Sequence, residues 1–468
     1  MNSSIREKCG VFAIVSGDSK TSVSEDIANG LIALQHRGQE SAGISTLDGE
    51  HMYTTTGMGL VTGVFSESDL AELKGSMGIG HVRYSTTGDS DSNNAQPIVI
   101  IGKETSIAIG FNGNILNYKE LKEEMVARGF EFKTTTDTEL IGLMILENLR
   151  KGIESAVKNL MEKLDGSYSL VLLTKRGEVY GIRDPLGFKP FVLGKRKGDF
   201  ILASEIPAVE AVGGKFVREV EPGELICLHE EGKGKVLKTE RRAHCFFEWV
   251  YFARPDTLFA GRNPYSVREK LGRKLADLYP LNLDVAIGVP DSGRTAALGY
   301  SKQSGITFEE GLIKNRYIWR TFIMPGQQKR SSTVKLKLNP IKSVIKGKRV
   351  AIVDDSLVRG TTMKKIVRIL REAGAKEVHV LISAPPIIAP CYMGIDFPTY
   401  GELAACGKTV DEIRKEIGAD GLYYMTIEGL LESINLPRGN LCLACITDEY
   451  PTKKRPAVKE GQRKRVYA

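Results

Sequence analysis

Between Lys348 and Thr362 the chain reads Lys-Arg-Val-Ala-Ile-Val-Asp-Asp-Ser-Leu-Val-Arg-Gly-Thr-Thr, an order that few folds accommodate. The apolar, β-branched stretch from Val350 to Val353 predicts a buried strand. It stops at two adjacent carboxylates, Asp354 and Asp355, and a short polar loop with Gly360 follows. Met363, Ile366, Val367 and Leu370 then recur at i, i+3, i+4 and i+7, the spacing of one buried helix face. A hydroxyl-rich turn that opens a helix offers backbone N–H groups to a phosphate. Two acids would repel a bare polyanion, so the fitting ligand also brings hydroxyls or a Mg²⁺ ion. A sugar phosphate meets all three requirements.

This run resembles the phosphoribosyl pyrophosphate (PRPP) motif of the type I phosphoribosyltransferases. The surrounding pattern agrees. A strand over 285–289 leads into a helix over 291–299, the strand at 350–353 into a helix over 362–373, and a further strand follows at 379–382. Such alternation predicts a parallel α/β sheet with ligands at the C-terminal ends of its strands. The resemblance implies that Asp291, Ser292 and Gly293 bind pyrophosphate, and that Ser292, Asp354 and Asp355 hold one Mg²⁺ per subunit. It further implies that Ser356, Val358, Arg359, Gly360, Thr361 and Thr362 cradle the 5′-phosphate. The basic, Gly/Gln/Ser-rich segment 314–340 reads as a lid over PRPP, with Lys335 reaching the leaving pyrophosphate.

The first half has a different grammar. Strands are expected at 10–15, 106–111, 168–173 and 179–182, and helices at 26–35, 137–149 and 154–164, which suggests a layered α+β domain. Cys9 opens the first strand. With it stand Leu34-Gln-His-Arg-Gly-Gln-Glu-Ser-Ala-Gly43, Gly80-His-Val-Arg-Tyr-Ser-Thr86, Phe111-Asn-Gly-Asn114, Thr136-Asp-Thr-Glu139, Arg183-Asp-Pro-Leu-Gly187 and Ser204-Glu205. This set resembles the glutamine amidotransferase domain of the N-terminal nucleophile (Ntn) hydrolases. An N-terminal cysteine carries its own base, the α-amine. Their unperturbed pKa values, ~8 and ~8.5, nearly match, so proton transfer costs under about 1 kcal/mol. That chemistry requires Cys9 to be the first residue, and residues 1–8 are therefore expected to be a cleaved propeptide. The resemblance implies an oxyanion hole from the Asn112 side chain and the Gly113 N–H. It also implies that Arg83 pairs with the α-carboxylate of glutamine and Asp137 with its α-ammonium.

Cys245, Cys391 and the pair Cys442 and Cys445 in Cys-Leu-Ala-Cys could bind Zn²⁺ or an iron–sulfur cluster, and spacing does not choose between them. A thioredoxin-like role is weaker, because no strand is expected before this pair. All four match positions in the iron–sulfur subgroup of the glutamine PRPP amidotransferases, which implies one structural 4Fe–4S cluster per subunit. Cys227 and Cys406 read as buried small residues.

Taken in order, the two halves imply an Ntn-hydrolase αββα layered domain over 9–237 and a junction over 238–263. A type I phosphoribosyltransferase α/β domain with a cluster-anchored C-terminal segment follows over 264–447, then a basic tail over 448–468. The implied reaction takes glutamine and PRPP as substrates and yields 5-phosphoribosylamine, glutamate and pyrophosphate. Feedback by purine nucleotides and a homotetramer are further family expectations. The chain shows no apolar run of ~18 residues and no signal-peptide core, so a cytoplasmic enzyme without membrane partner is expected. Its formal charge of +8 lies partly in the tail, which reads as a solvated terminus and not as a nucleic-acid contact. Two other readings stand beside this one. A class II amidotransferase with a different acceptor would share the Cys9 half but lack the AIVDDSLVRGTT run. A non-catalytic PRPP-sensing regulator would leave a complete glutaminase site without purpose.

Overall fold

The structure, a computed structural model, describes residues 9–84, 91–238, 240–315, 338–397 and 399–453. In the first half, strict alternation buries both faces of each central strand. Along Gly10–Val15, Val11 and Ala13 point into one core, and Phe12 and Ile14 into another. The period of two therefore requires a second sheet on one face and helices on the other. Each buried Val, Leu, Ile or Phe side chain contributes roughly 1.5–3 kcal/mol.

A seven-stranded sheet runs from Lys215–Glu219 through Val192–Arg196, Asp199–Ala203, Gly10–Val15, Met77–Arg83 and Ser41–Asp48 to His51–Met58. A six-stranded sheet runs from Lys233–Val236 through Glu224–Cys227, Glu178–Arg183, Gly166–Thr174 and Ser106–Ile115 to Ile98–Ile101. Val11, Ala13, Ile79, Ala108, Val171 and Leu202 fill the space between them. Helix Ser24–Ala33 covers the first sheet, and helices Asp137–Asn148 and Ile153–Lys163 the second, giving the expected αββα layers.

The second half contains four parallel strands in the order Val285–Gly288, Arg349–Asp354, Glu377–Ile382 and Gly421–Tyr424. Helix Thr361–Glu372 buries Met363, Ile366, Val367 and Leu370 as the spacing predicts. The fourth strand was not anticipated.

The stretch over 238–263 is more than a junction. Phe246, Phe247 and Trp249 are fully buried in the second core, and Trp249 stacks on Phe259 with ring centroids 4.6 Å apart. The buried Arg268 guanidinium donates to the carbonyls of Trp249, Val250, Tyr251 and Ala253 at 2.7–3.1 Å, which satisfies a segment wound as a π-helix over Glu248–Phe252. The Cys442 pair does adjoin a strand. Leu441–Cys442 pairs in parallel with His244–Cys245 and sets Cys245 opposite Cys442. Two-residue strands leave too little alternation to be visible in sequence.

Candidate active sites and a four-cysteine centre

The first site forms at the ends of interior strands of the two large sheets. Cys9 leads into Gly10–Val15, and its Sγ lies 3.5 Å from both the carbonyl and the amide of Tyr84. Arg83 ends the adjacent strand, is buried, and donates to Glu40 at 2.8 Å. Asn112 and Gly113 sit side by side in Ser106–Ile115. A Cβ on Gly113 would lie 2.1 Å from the Ser167 carbonyl, so only glycine fits between the paired strands. Asp137 occupies the first turn of its helix and accepts from the Ile115 amide at 3.2 Å.

These residues, scattered over the first half of the sequence, share one electrostatic field. Burial pushes the Cys9 thiol up, and the charges of Arg83 and Lys189 oppose that shift. Burial likewise pushes the Asp137 carboxyl up to about 7, and the same two cations pull against it. Asn112 is fully buried; its Oδ1 accepts from Lys189 Nζ at 2.8 Å, while its Nδ2 meets no partner among the described residues. An unpaired buried N–H is costly in a folded protein unless a ligand supplies the acceptor.

Sequence reasoning gave no role to Lys189 or to the Arg37 network. Arg37 is buried and donates to Glu248 at 2.9 and 3.1 Å, to Glu205, and to the Cys9 carbonyl at 3.4 Å. Glu205 also accepts from the Arg254 amide and pairs with His36 at 2.8 Å. Arg37 and Glu205 lie inside runs that sequence reasoning singled out, and that position was the available signal.

The second site sits at the C-terminal ends of two neighbouring parallel strands, Val285–Gly288 and Arg349–Asp354. Close packing brings the loop over 291–293 to Asp354: a Cβ on Gly293 would lie 2.4 Å from the Val353 carbonyl. Ser292 and Ser356 hydroxyls donate to the two oxygens of Asp355, and the Asp355 amide donates to Asp354 at 2.9 Å. Burial raises both carboxyls, and the charge of Asp355 pushes Asp354 well up; Arg268 pulls Asp355 the other way. Crowded oxygen donors of this kind suit a hard divalent cation, which would relieve their repulsion.

Asp291 is exposed and pairs with Lys314 at 2.7 Å. Thr361 and Thr362 open the helix, and Val358 is buried beneath the loop. The Arg359 side chain turns to Glu402 and to the Asp396 carbonyl. Lys335 lies outside the described residues.

The four sequence-selected cysteines converge. Burial raises the Cys445 thiol well above its ordinary value, and Cys391, Cys442 and Cys245 raise it further. No three of these sulfurs lie within 4.8 Å of one another; among the described residues that spacing is met by Cys227, His229 and Glu230. A single tetrahedral Zn²⁺ with Zn–S of ~2.3 Å would draw its sulfurs to within ~3.8 Å.

The Glutamine amidotransferase domain family matches residues 81–211, and the Phosphoribosyl transferase domain family matches residues 261–386. The amidophosphoribosyltransferase of Methanothermobacter thermautotrophicus is 48% identical over 454 residues, spanning 96% of each chain. That of Bacillus subtilis is 42% identical and spans 96% of this chain and 95% of its own. A solved glutamine PRPP amidotransferase from B. subtilis, complexed with ADP and GMP, superposes with a TM-score of 0.88 at 43% identity and covers 95% of this chain and 98% of its own.

Proposed function

The chain belongs to the amidophosphoribosyltransferase family, and from that premise we propose how its residues divide the work. The reaction is glutamine-dependent amidotransfer to PRPP in purine biosynthesis. The observation that carries the division is the pairing of a cation-flanked Cys9, beside an unpartnered Asn112 donor, with a carboxylate pair at the ends of two parallel strands.

Removal of residues 1–8 gives Cys9 an α-amine, which takes the thiol proton as Sγ attacks the glutamine amide carbon. Asn112 Nδ2 and the Gly113 N–H receive the oxyanion. Arg83 binds the α-carboxylate, and ionised Asp137 the α-ammonium. The C–N bond breaks, ammonia leaves, and water hydrolyses the Cys9 thioester to glutamate.

In the second half, backbone N–H groups from Ser356 to Thr362 hold the 5′-phosphate at the helix start. Asp291, Ser292 and Gly293 position the pyrophosphate. Ser292, Asp354 and Asp355 would hold Mg²⁺, which when bound neutralises the pyrophosphate. The ammonia lone pair attacks the anomeric carbon as the C–O bond to pyrophosphate breaks. Ammonia in neutral water becomes ammonium, so the two halves work through a closed path.

Cys245, Cys391, Cys442 and Cys445 would hold a 4Fe–4S cluster, whose contribution is structural: it ties the 244–245 and 441–442 segments to the Cys391 loop. Purine nucleotides act as feedback ligands, the assembly is a homotetramer, and the cytoplasm keeps Cys9 and the cluster thiolates reduced. The test is glutamate release by anaerobically purified enzyme, measured with and without PRPP and Mg²⁺, beside Cys9→Ala. PRPP-stimulated release that vanishes in the variant is expected. Release indifferent to PRPP would overturn the acceptor assignment.

A further inference from the structure

Lys189 is an unusual residue to bury, yet it is 1% exposed at the glutaminase site. Two charged neighbours hold its loop from opposite sides. The Asp184 carboxylate accepts from the amides of Leu186 at 2.9 Å, Gly187 at 2.7 Å and Phe188 at 3.3 Å. The Arg183 guanidinium donates to the carbonyls of Gly187 at 3.1 Å and of Lys189 itself at 2.6 Å. The loop thereby delivers the Lys189 ammonium to Asn112 Oδ1 at 2.8 Å.

The other half of the chain closes over this contact. Asn114 Nδ2 donates to the Tyr392 carbonyl at 2.9 Å, and the Ser167 hydroxyl to the Met393 carbonyl at 2.8 Å. Gly394 comes so near that a Cβ there would lie 3.1 Å from Lys189 Nζ. The ammonium is thus walled from bulk water, where a charged hydrogen bond is strongest.

A carboxamide can present either its oxygen or its nitrogen, and the two orientations fill the same space. An ammonium only donates, so it fixes the choice: Asn112 Oδ1 must face Lys189, and Nδ2 must face the substrate side. The charge also draws electron density toward Oδ1 and strengthens the opposite N–H as a donor. We propose that Lys189 is a positioning residue for glutamine hydrolysis, acting through Asn112 to aim and strengthen the N–H that receives the oxyanion. This rests on the reading of Asn112 as that donor.

The proposal commits to a kinetic pattern. Losing one oxyanion donor costs ~10²–10³ in kcat, and misaiming it costs part of that. In full-length enzyme beginning at Cys9, with PRPP and Mg²⁺ present, Lys189→Met should lower kcat for glutamine hydrolysis ~10–100-fold. The KM for glutamine should stay within about 3-fold, because Lys189 acts on the transition state. In an Asn112→Ala background the same substitution should change kcat by less than about 3-fold, since its route is already cut. Thermal unfolding checks that the variants are folded. If Lys189→Met does not fold, Lys189→Gln removes the charge at similar length and is read in the same cycle, with a loss expected in the Asn112 background only.

An equal loss in both backgrounds would overturn the proposal and assign Lys189 to the Cys9 thiolate or to the fold. A raised KM with kcat held would overturn it in favour of glutamine binding. If Asn112→Ala alone leaves kcat intact, the reading of Asn112 fails, and that failure is separate from the Lys189 result.

Discussion

The two active sites solve opposite electrostatic problems. At the glutaminase site, burial raises the Cys9 thiol and the Asp137 carboxyl, the charges of Arg83 and Lys189 oppose that rise, and the side chains are held by hydrogen bonds within the protein. At the phosphoribosyl site the excess is negative: burial raises the proton affinity of both adjacent acids, the charge of Asp355 raises that of Asp354 further, and only Arg268 and the serine contacts pull Asp355 the other way. The first site is therefore built to hold its geometry before glutamine arrives. The second is built to be completed by its ligands.

Asp355 offers the largest test of that contrast. Asp355→Asn removes one negative charge and disturbs both serine contacts, so phosphoribosylamine formation should fall by ~10³-fold or more whether nitrogen comes from glutamine or from added ammonia. Cys9→Ala should abolish only the glutamine-fed reaction. Assays with each nitrogen source measure this. Equal losses from both substitutions would erase the distinction between the sites.

The sites also differ in how they were legible. The phosphoribosyl site is one contiguous run, because a parallel strand and the helix after it put phosphate-binding loop and acids next to each other in sequence. Val350–Val353, Asp354, Asp355 and the Met363 face could all be read from spacing. The glutaminase site is assembled across sheets from positions as far apart as Cys9 and Lys189, and no periodicity announces such a meeting. Family motifs singled out Cys9, Arg83, Asn112 and Asp137 as candidates. Lys189 and Glu248 went unassigned, because their roles depend on which buried partner the tertiary fold supplies. The fourth parallel strand and the two-residue Cys245–Cys442 pairing were hidden for a simpler reason: both are too short for a pattern.

Arg37 tests whether the preformed site depends on the second half. Its guanidinium joins the Cys9 carbonyl to Glu205 and to Glu248, which opens the π-helix packed under Arg268. Arg37→Met removes the buried cation that Glu205 and Glu248 share, a loss of about 3–5 kcal/mol. The thermal unfolding midpoint should fall by several degrees. Replacing the half-buried Lys274, paired with the exposed Glu432, should leave the midpoint nearly unmoved. Similar shifts for both would mean the network is not buried as described.

The smallest effect sharpens the comparison most finely. On the proposed division of roles Asp137 binds the α-ammonium of glutamine when ionised, but burial lifts its pKa to about 7. The folded free enzyme therefore carries a proton on Asp137 below that value and releases it above. The sign follows: kcat/KM for glutamine should rise with pH through about 7, by up to tenfold per unit on the acid side, and then level off. Asp137→Asn should lower kcat/KM and remove this limb, leaving only the ionisations of Cys9 and its α-amine. Mg²⁺ should not shift the limb, because the Asp354–Asp355 pair titrates in the other half. A limb that moved with Mg²⁺ would show that the two fields are joined, and the contrast between a preformed site and a ligand-completed one would then describe a single coupled system.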